Sequence, residues 1–153
     1  METVDARPID AGAILAVQRL AFAPAAARYG DDRLPPLMET REEIEADIRS
    51  QVVLVAVRDG EVIGSVRGVG RDGCVHVGRL VVHPSHQRQG IARGLMLELE
   101  SRFERQPCFE LFTGHLNERG MSLYRQLGYV ETQRQRVTDA LELVYMRKTR
   151  VDL

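Results

Sequence analysis

Residues 74–94, CVHVGRLVVHPSHQRQGIARG, contain the change from strand to helix that decides the fold. Apolar residues alternate up to Val77 and resume at Leu80 with the opposite parity. A strand that must keep one apolar face inward can absorb such a change by inserting one extra residue. The sequence therefore predicts a β-bulge at Gly78 and Arg79, which would splay this strand from its neighbour.

The turn after this strand has the composition of an anion-binding site. Apolar residues recur every four positions from Ile91, which predicts a long amphipathic helix from Arg88 to just before Pro107. The first N–H groups of a helix lack partners and carry partial positive charge, so a phosphate can bind there. Gly90 and Ala92 remove side-chain bulk at this point. Alternatively, both small residues only allow the helix to pack on the sheet.

Upstream of the bulge, the apolar pattern is first helical and then typical of strands. A first helix is predicted to begin at Asp10, which we expect to cap it, followed by a loop over residues 23–38. A capping-box sequence at Thr40 predicts a second helix that ends near Ser50. Two β-branched runs around a tight turn predict a hairpin over residues 51–70.

Downstream of the long helix, residues 109–113 (FELFT) are predicted to form a buried strand. The order strand, helix, strand implies a right-handed parallel crossover. Asn117 can cap a further helix that stops at Gly128. Residues 129–137 and 141–148 then supply two closing strands.

Composition limits the classes of function. A length of 153 residues fits one domain, and a formal charge of −1 without a long basic run argues against capture of nucleic acid. No apolar run reaches the roughly 20 residues of a membrane span, so we expect no membrane contact and a cytoplasmic location. Cys74 and Cys108 are interpreted as buried thiols rather than a disulfide. No metal site is expected, because no ligand set surrounds His83 and His86.

Two short motifs resemble the signatures of the GNAT-type N-acetyltransferases. The first is VHP at residues 82–84 followed by QRQGIA at residues 87–92, and the second is Asn117 followed by LYRQLGY at residues 123–129. The resemblance covers residues 6–148 and implies an α/β (α+β) fold in which all 153 residues form a single domain. The implied sheet is mixed and mostly antiparallel, with about seven strands. It is splayed between strands 4 and 5 and flanked by about four helices.

The resemblance further implies that acetyl-CoA is the cosubstrate. Its pantetheine arm would pair with the backbone of the fourth strand in the gap of the sheet, and its pyrophosphate would bind the turn before the long helix. The implied cofactor-binding residues are Leu80, Val81, Val82, Gln87, Arg88, Gln89, Gly90, Ile91, Ala92, Arg93, Asn117 and Tyr124.

Family analogy makes Tyr124 the acid that protonates the leaving thiolate. Alternatively, Tyr124 only fills the sheet side of its helix. Many relatives carry a glutamate base on the fourth strand, and this chain has His76 at the corresponding place. Histidine can remove a proton near neutral pH, although a lone strand histidine is also a common structural residue. Glu110, His115 and Glu39 are rival bases.

The acceptor is left open among a small amine, a peptide N-terminus and a protein lysine, and charge does not decide between a cationic and a carboxylated amine. Tyr29, Glu39 and His115 are the candidate substrate contacts, and the acidic residues around the first loop favour a cationic amine. Arg134 and Arg136 on a later strand favour a carboxylated one.

These features predict an acetyl-CoA-dependent N-acetyltransferase that moves an acetyl group to a primary amine of a small molecule or peptide, by direct attack in a ternary complex. One alternative is a catalytically silent acyl-CoA-binding regulatory module, which the missing glutamate favours. Another is a nucleotide-phosphate binder that uses the same turn. Relatives are frequently dimers, so a homodimer is a further expectation.

Overall fold

The computed structural model describes residues 1–150, which form seven strands, five α-helices and two short 3-10 helices. The strands are β1 (Glu2–Asp5), β2 (Val52–Arg58), β3 (Glu61–Arg71), β4 (Cys74–Val82), β5 (Cys108–Gly114), β6 (Val130–Arg136) and β7 (Glu142–Thr149). The helices are α1 (Ala11–Tyr29), α2 (Pro35–Met38), α3 (Arg41–Ser50), α4 (Ile91–Ser101) and α5 (Glu118–Gln126).

All seven strands form one mixed sheet in the order β1-β2-β3-β4-β5-β7-β6. Neighbouring strands are antiparallel except for β4 and β5, which are parallel and are connected through α4. The predicted α/β (α+β) class and the parallel crossover are therefore confirmed. The sequence pattern does not reveal β1, because this edge strand pairs only with β2 and buries no residue.

The predicted bulge is present in β4. Ser65 of β3 pairs with Val81 and Arg67 pairs with Gly78, so two steps along β3 match three along β4. Arg79 lies at the insertion with φ +54°, in the left-handed region. Apolar side chains on both sides of the bulge pack against the same core, as the change of parity requires.

Beyond this point β4 separates from β5. The two strands pair at only three positions, from Cys74 opposite Cys108 to His76 opposite Glu110. The remainder of β5 pairs with β7 on its other side. The second halves of β4 and β5 thus border an opening in the sheet, as predicted for strands 4 and 5.

Helices cover both faces of the sheet. A large apolar cluster joins α4 and α5 to one face and includes Leu95, Leu99 and Tyr124. A smaller cluster joins α1 and α3 to the other face of the first strands and includes Ile14 and Ile44. Strand β6 is exposed along its whole length. The core is therefore concentrated around β2 to β5, where it supports both sides of the opening.

The first helix is longer than the sequence pattern predicts. It continues through Pro24 to Tyr29, over a stretch interpreted as loop, and the single turn α2 follows. The proline is tolerated because it frees the carbonyl of Leu20, a half-exposed residue at which water can replace the lost hydrogen bond. Asp10 lies at the N-cap position, but its carboxylate accepts from the N–H of Arg7 and does not cap α1.

The long helix α4 is shorter than predicted. It begins at Ile91, because Arg88 and Gly90 have φ values of +63° and +79°, outside the helical region. It ends at Ser101, and tighter turns lead from there to β5. In contrast, α3 has the predicted bounds and the predicted capping box at Thr40.

The two cysteines form a disulfide, so their interpretation as free thiols is wrong. Cys74 and Cys108 are register partners at the base of β4 and β5, with Cα atoms 4.8 Å apart. They are 34 positions apart in the sequence, and only the parallel crossover makes them neighbours. Disulfides are rare in reducing compartments, so one of the arguments for a cytoplasmic location no longer holds.

One helical stretch, Pro8–Tyr29, has the length and the mean hydropathy (1.3) of a membrane span, contrary to the expectation that no run is long enough. Core helices of soluble proteins have the same length and composition. Ile14 and Leu15 of this stretch are buried against Ile44 and β2. These two residues therefore have a role in packing within the fold, whereas only 22% of the apolar window is buried.

Candidate functional site

The opening between β4 and β5 exposes a row of backbone groups. The N–H of His83, next to the end of β4, donates to the carbonyl of Ile63 in β3, 2.8 Å away. Backbone groups alternate in direction along an antiparallel strand, so those of Leu80 and Val82 point to the opening. An extended ligand can pair with these groups as another strand would.

The turn before α4 presents N–H groups that have no partner. Within residues 1–150, the N–H groups of Ile91, Ala92 and Arg93 lack a protein acceptor, and the first bond of the helix runs from Gly94 N to Gly90 O over 3.0 Å. A Cβ atom at Gly90 would meet nothing within 4 Å, so the approach to the turn is open. These features fit a phosphate group of the expected cofactor.

Side chains of the turn bond to neighbouring elements. Gln87 Oε1 accepts from Arg119 of α5 at 3.0 Å, and Gln89 Oε1 accepts from Arg58 of β2 at 2.6 Å. The sequence motif does not reveal these two arginines, which lie about 30 positions from the turn. They bring two further cationic groups to the turn. Exposed arginines of the motif itself are Arg88 and Arg93.

Asn117 stabilises the start of α5. Its Oδ1 accepts from the N–H of Gly120 at 3.1 Å, as a helix cap, and its Nδ2 donates to Thr113 Oγ1 at 2.9 Å. Both ends of the side-chain amide are therefore engaged within the protein. The cofactor contact expected for Asn117 stays a prediction.

Tyr124 projects from α5 into the main core. Its side chain is 8% exposed, and its ring lies edge-on to Tyr129 with the centroids 6.0 Å apart. Burial raises the pKa of the Tyr124 hydroxyl to about 12. The group thus keeps its proton at neutral pH, as a proton donor must.

The sheet order and the opening between β4 and β5 match a known architecture. The family model of the GNAT acetyltransferase domain matches residues 25–150. The chain belongs to the GNAT acetyltransferase family. Acetyl-CoA, the cosubstrate implied by the sequence motifs, is the one that GNAT domains use.

Two curated relatives match parts of the chain. It is 31% identical over 131 residues to the UPF0157 protein YqkA of Bacillus subtilis, covering 85% of this chain and 37% of that protein. It is 38% identical over 82 residues to the probable N-acetyltransferase 14 of Danio rerio, covering 50% of this chain and 29% of that protein. The matched region is therefore about a third of the length of these relatives.

Solved GNAT structures share the fold over nearly the whole chain. The ribosomal-protein-S18-alanine N-acetyltransferase of Escherichia coli is 17% identical with a TM-score of 0.80, covering 99% of this chain and 97% of that one. The putative acetyltransferase YncA of Salmonella typhimurium, with acetyl-CoA, is 22% identical with a TM-score of 0.79, covering 97% and 93%. At these identities the likeness describes the fold.

In this GNAT domain, His76 occupies the last paired position of β4 before the opening. Its Nε2 lies 3.8 Å from the Glu110 carboxylate, and its side chain is 44% exposed. Glu110, the rival base, also accepts a hydrogen bond from Arg147 Nε at 3.0 Å. The neighbours Val75 and Val77 pack in the same cluster as Tyr124, so His76 points to the opposite face of the sheet.

Two of the three candidate substrate contacts meet at the far end of β5. The ring centroids of Tyr29 and His115 are 5.7 Å apart. The Tyr29 hydroxyl accepts from the N–H of Leu116 at 3.0 Å, and His115 Nδ1 accepts from the N–H of Glu142 at 3.0 Å. The end of α1 is thereby fixed to the rim of the opening.

The third candidate, Glu39, lies apart from them in a buried ionic network. Arg67 of β3, with its side chain 4% exposed, donates to both Glu39 oxygens at 2.8 and 2.9 Å and to Asp47 at 2.9 Å. Gln18 donates to Glu39 at 2.9 Å. Burial would raise the pKa of Glu39, but the hydrogen bonds from Arg67 and Gln18 outweigh it and lower the pKa. Glu39 is therefore a poor base.

Proposed function

We propose that this chain is an acetyl-CoA-dependent N-acetyltransferase that acts on a primary amine of a small molecule or peptide. The observation that carries the proposal is the opening between β4 and β5. It combines the outward backbone groups of Leu80 and Val82 with the unpartnered N–H groups of the turn before α4. A pantetheine arm suits an unpaired strand edge, and a pyrophosphate suits the start of a helix.

The proposed cofactor contacts divide between strand and turn. The backbone of the end of β4 would hold the arm, the N–H groups of the turn would hold the pyrophosphate, and nearby arginines would add charge. Asn117 and Tyr124 would lie along the arm on the α5 side. The full proposed set is Leu80, Val81, Val82, Gln87, Arg88, Gln89, Gly90, Ile91, Ala92, Arg93, Asn117 and Tyr124.

Acetyl transfer by direct attack in a ternary complex needs a neutral amine, a stabilised oxyanion and a proton for the leaving thiolate. Tyr124 suits the last task, since its buried hydroxyl is protonated at neutral pH. His76 would remove the amine proton from the opposite face, directly or through water that its exposure admits. The two proton transfers would thus occur on different sides of the sheet.

The alternative function is a catalytically silent acyl-CoA-binding regulatory module. The absence of a glutamate on β4 and the partial exposure of His76 favour it. This module would bind acetyl-CoA through the same turn, but it would acetylate no amine. Tyr124→Phe would then have no effect on acetyl transfer, because none would occur.

We further propose that the whole chain is one domain and that the protein acts in the cytoplasm as a homodimer. Sedimentation equilibrium of the purified chain measures the oligomeric state. A monomer at all concentrations would contradict the proposed homodimer but not the proposed chemistry.

Calorimetric titration with acetyl-CoA, followed by ATP as a control, tests the proposal first. We expect micromolar or tighter binding of acetyl-CoA and no response to ATP. Release of free thiol is then measured with polyamines, amino acids and short peptides. Binding without thiol release on any amine would favour the silent module, and absence of acetyl-CoA binding would contradict both functions.

A further inference from the structure

The bulge places one arginine at the rim of the opening with most of its hydrogen-bonding capacity unused. Arg79 lies three residues beyond His76, the last position at which β4 pairs with β5. Within residues 1–150, no protein acceptor lies within hydrogen-bond distance of its guanidinium. Its side chain is only 27% exposed, and its Nε is fully buried. A buried Nε–H without a partner is uncommon, because buried polar groups normally have partners. The terminal amines of Arg79 also have no protein acceptor in the described part of the chain, but they are not buried, so a ligand can reach them.

The nearest carboxylate does not satisfy Arg79. Glu39 Oε1 lies 3.6 Å from Arg79 Nε, longer than a normal hydrogen bond. Both oxygens of Glu39 already accept from Arg67, and one also accepts from Gln18. Burial lowers the pKa of Arg79, while the Glu39 charge raises it. The carboxylate therefore compensates the charge of Arg79 without filling its donor sites.

Three of the other charged residues that bear on the acceptor are paired within the protein. Arg134 pairs with Glu131 and Glu142, and Arg136 lies 3.9 Å from Glu142, so neither offers a free cation. Glu39, which follows the first loop, is paired with Arg67, whereas Asp31 and Asp32 of that loop form no ion pair within residues 1–150. Glu39 therefore does not favour a cationic acceptor, and Arg79 differs from Arg134 and Arg136 in that its donors have no protein acceptor among the described residues.

We propose that Arg79 binds a carboxylate of the acceptor, so that the acceptor is an amino acid or another amine that also carries a carboxylate. This inference rests on the proposed acetyltransferase function and specifies the substrate class of the same opening. A carboxylate can accept two parallel N–H bonds from one guanidinium. It would thereby bind the accessible terminal amines of Arg79 and would fix the amine in one orientation at the opening.

Thiol release from acetyl-CoA with matched pairs of acceptors tests this assignment. Each pair consists of an L-amino acid and its amide, or of β-alanine and 3-aminopropanamide, and spermidine represents cationic amines. For the wild type we expect a kcat/KM about ten- to a hundred-fold higher for the carboxylate of each productive pair. Arg79→Gln should abolish this preference through a higher KM, and Arg79→Lys should restore part of it.

A matched substitution and a cofactor measurement serve as controls. Arg136→Gln removes an exposed arginine of β6 and should leave the carboxylate preference intact. The Kd for acetyl-CoA and the Tm should be the same in Arg79→Gln and in the wild type. A wild type that prefers the amides or spermidine, or a preference that survives in Arg79→Gln, would overturn the assignment.

A binding measurement decides the assignment even without turnover. N-acetyl-L-amino acids and their amides are titrated into the protein with CoA present. We expect the carboxylates to bind at least about ten-fold more tightly than the amides in the wild type and equally weakly in Arg79→Gln. Equal binding in the wild type would overturn the role of Arg79. Loss of acetyl-CoA binding, in contrast, would contradict the proposed function itself.

Discussion

The two halves of the β4–β5 pair belong to the same strands, but one half is paired and the other is open. At the base, three residues of each strand are paired and a disulfide joins Cys74 to Cys108. Beyond His76 the strands separate, and within residues 1–150 they no longer pair with each other. Apolar side chains on both sides of the bulge still pack on the same core. One inserted residue can therefore accompany an opening in the sheet without loss of core contacts.

If the proposed function is correct, the base supplies stability and the open half supplies the chemistry. Substitutions in the open half should change binding or catalysis with little change in Tm. Substitutions at the base should lower the Tm with little change in binding or catalysis.

Gly90→Glu has the largest expected effect in the open half. The new carboxylate would lie where the pyrophosphate is expected, so the Kd for acetyl-CoA should rise by at least about a hundred-fold. Gly73→Glu is the matched control, because Gly73 has nearly the same φ, +78° against +79°, and equally open surroundings in the β3–β4 turn. Calorimetry that showed equal affinities for both variants would contradict the assignment of the turn.

Tyr124→Phe should reduce kcat by about a hundred-fold while the Kd for acetyl-CoA is unchanged, because only the proton donor is lost. Stopped-flow or steady-state thiol release measures the rate. Tyr145→Phe removes a hydroxyl that bonds to Gln135 on β6 and should have no effect on kcat. An unchanged kcat in Tyr124→Phe would mean that this tyrosine has only a packing role.

His76→Gln should reduce kcat by roughly ten-fold, a smaller effect because water can reach the amine at this exposed position. It should also remove a dependence of kcat/KM on pH near neutrality. His115→Gln tests the rival base in the same assay. If the pH profile of His76→Gln equals that of the wild type, a group other than His76 removes the proton from the amine.

Removal of the disulfide should have the smallest effect on the site. Cys74→Ala combined with Cys108→Ala releases a loop of 34 positions, which should lower the free energy of unfolding by about 3–4 kcal/mol. The Kd for acetyl-CoA should change by less than about three-fold. A ten-fold weaker affinity would show that the base and the open half are coupled. It would contradict the separation of stability at the base from binding in the open half.

The features that depend on local pattern were predictable from the sequence. The bulge follows from a change of parity at Gly78 and Arg79, because an apolar face has to stay inward. The capping box at Thr40 and the hairpin that follows it are equally local. The motif residues around Gly90 also lie where the strand-to-helix order places them.

The features that depend on distant contacts were not predictable. The disulfide needs the register of β4 against β5, and α1 passes Pro24 because tertiary packing outweighs local propensity. Arg79 was identified as part of the bulge, but its unpaired guanidinium follows from the pairing of Glu39 with Arg67, three elements away from the motif. Electrostatic neutralisation has no signature in a single sequence.

Tyr29 and Gly114 are in such close contact that the two positions cannot vary independently. A Cβ atom at position 114 would overlap the Tyr29 hydroxyl, which also accepts from the N–H of Leu116. Any side chain at 114 therefore requires a smaller residue at 29. Across related chains we expect the two positions to covary, with glycine at 114 wherever a tyrosine ends α1.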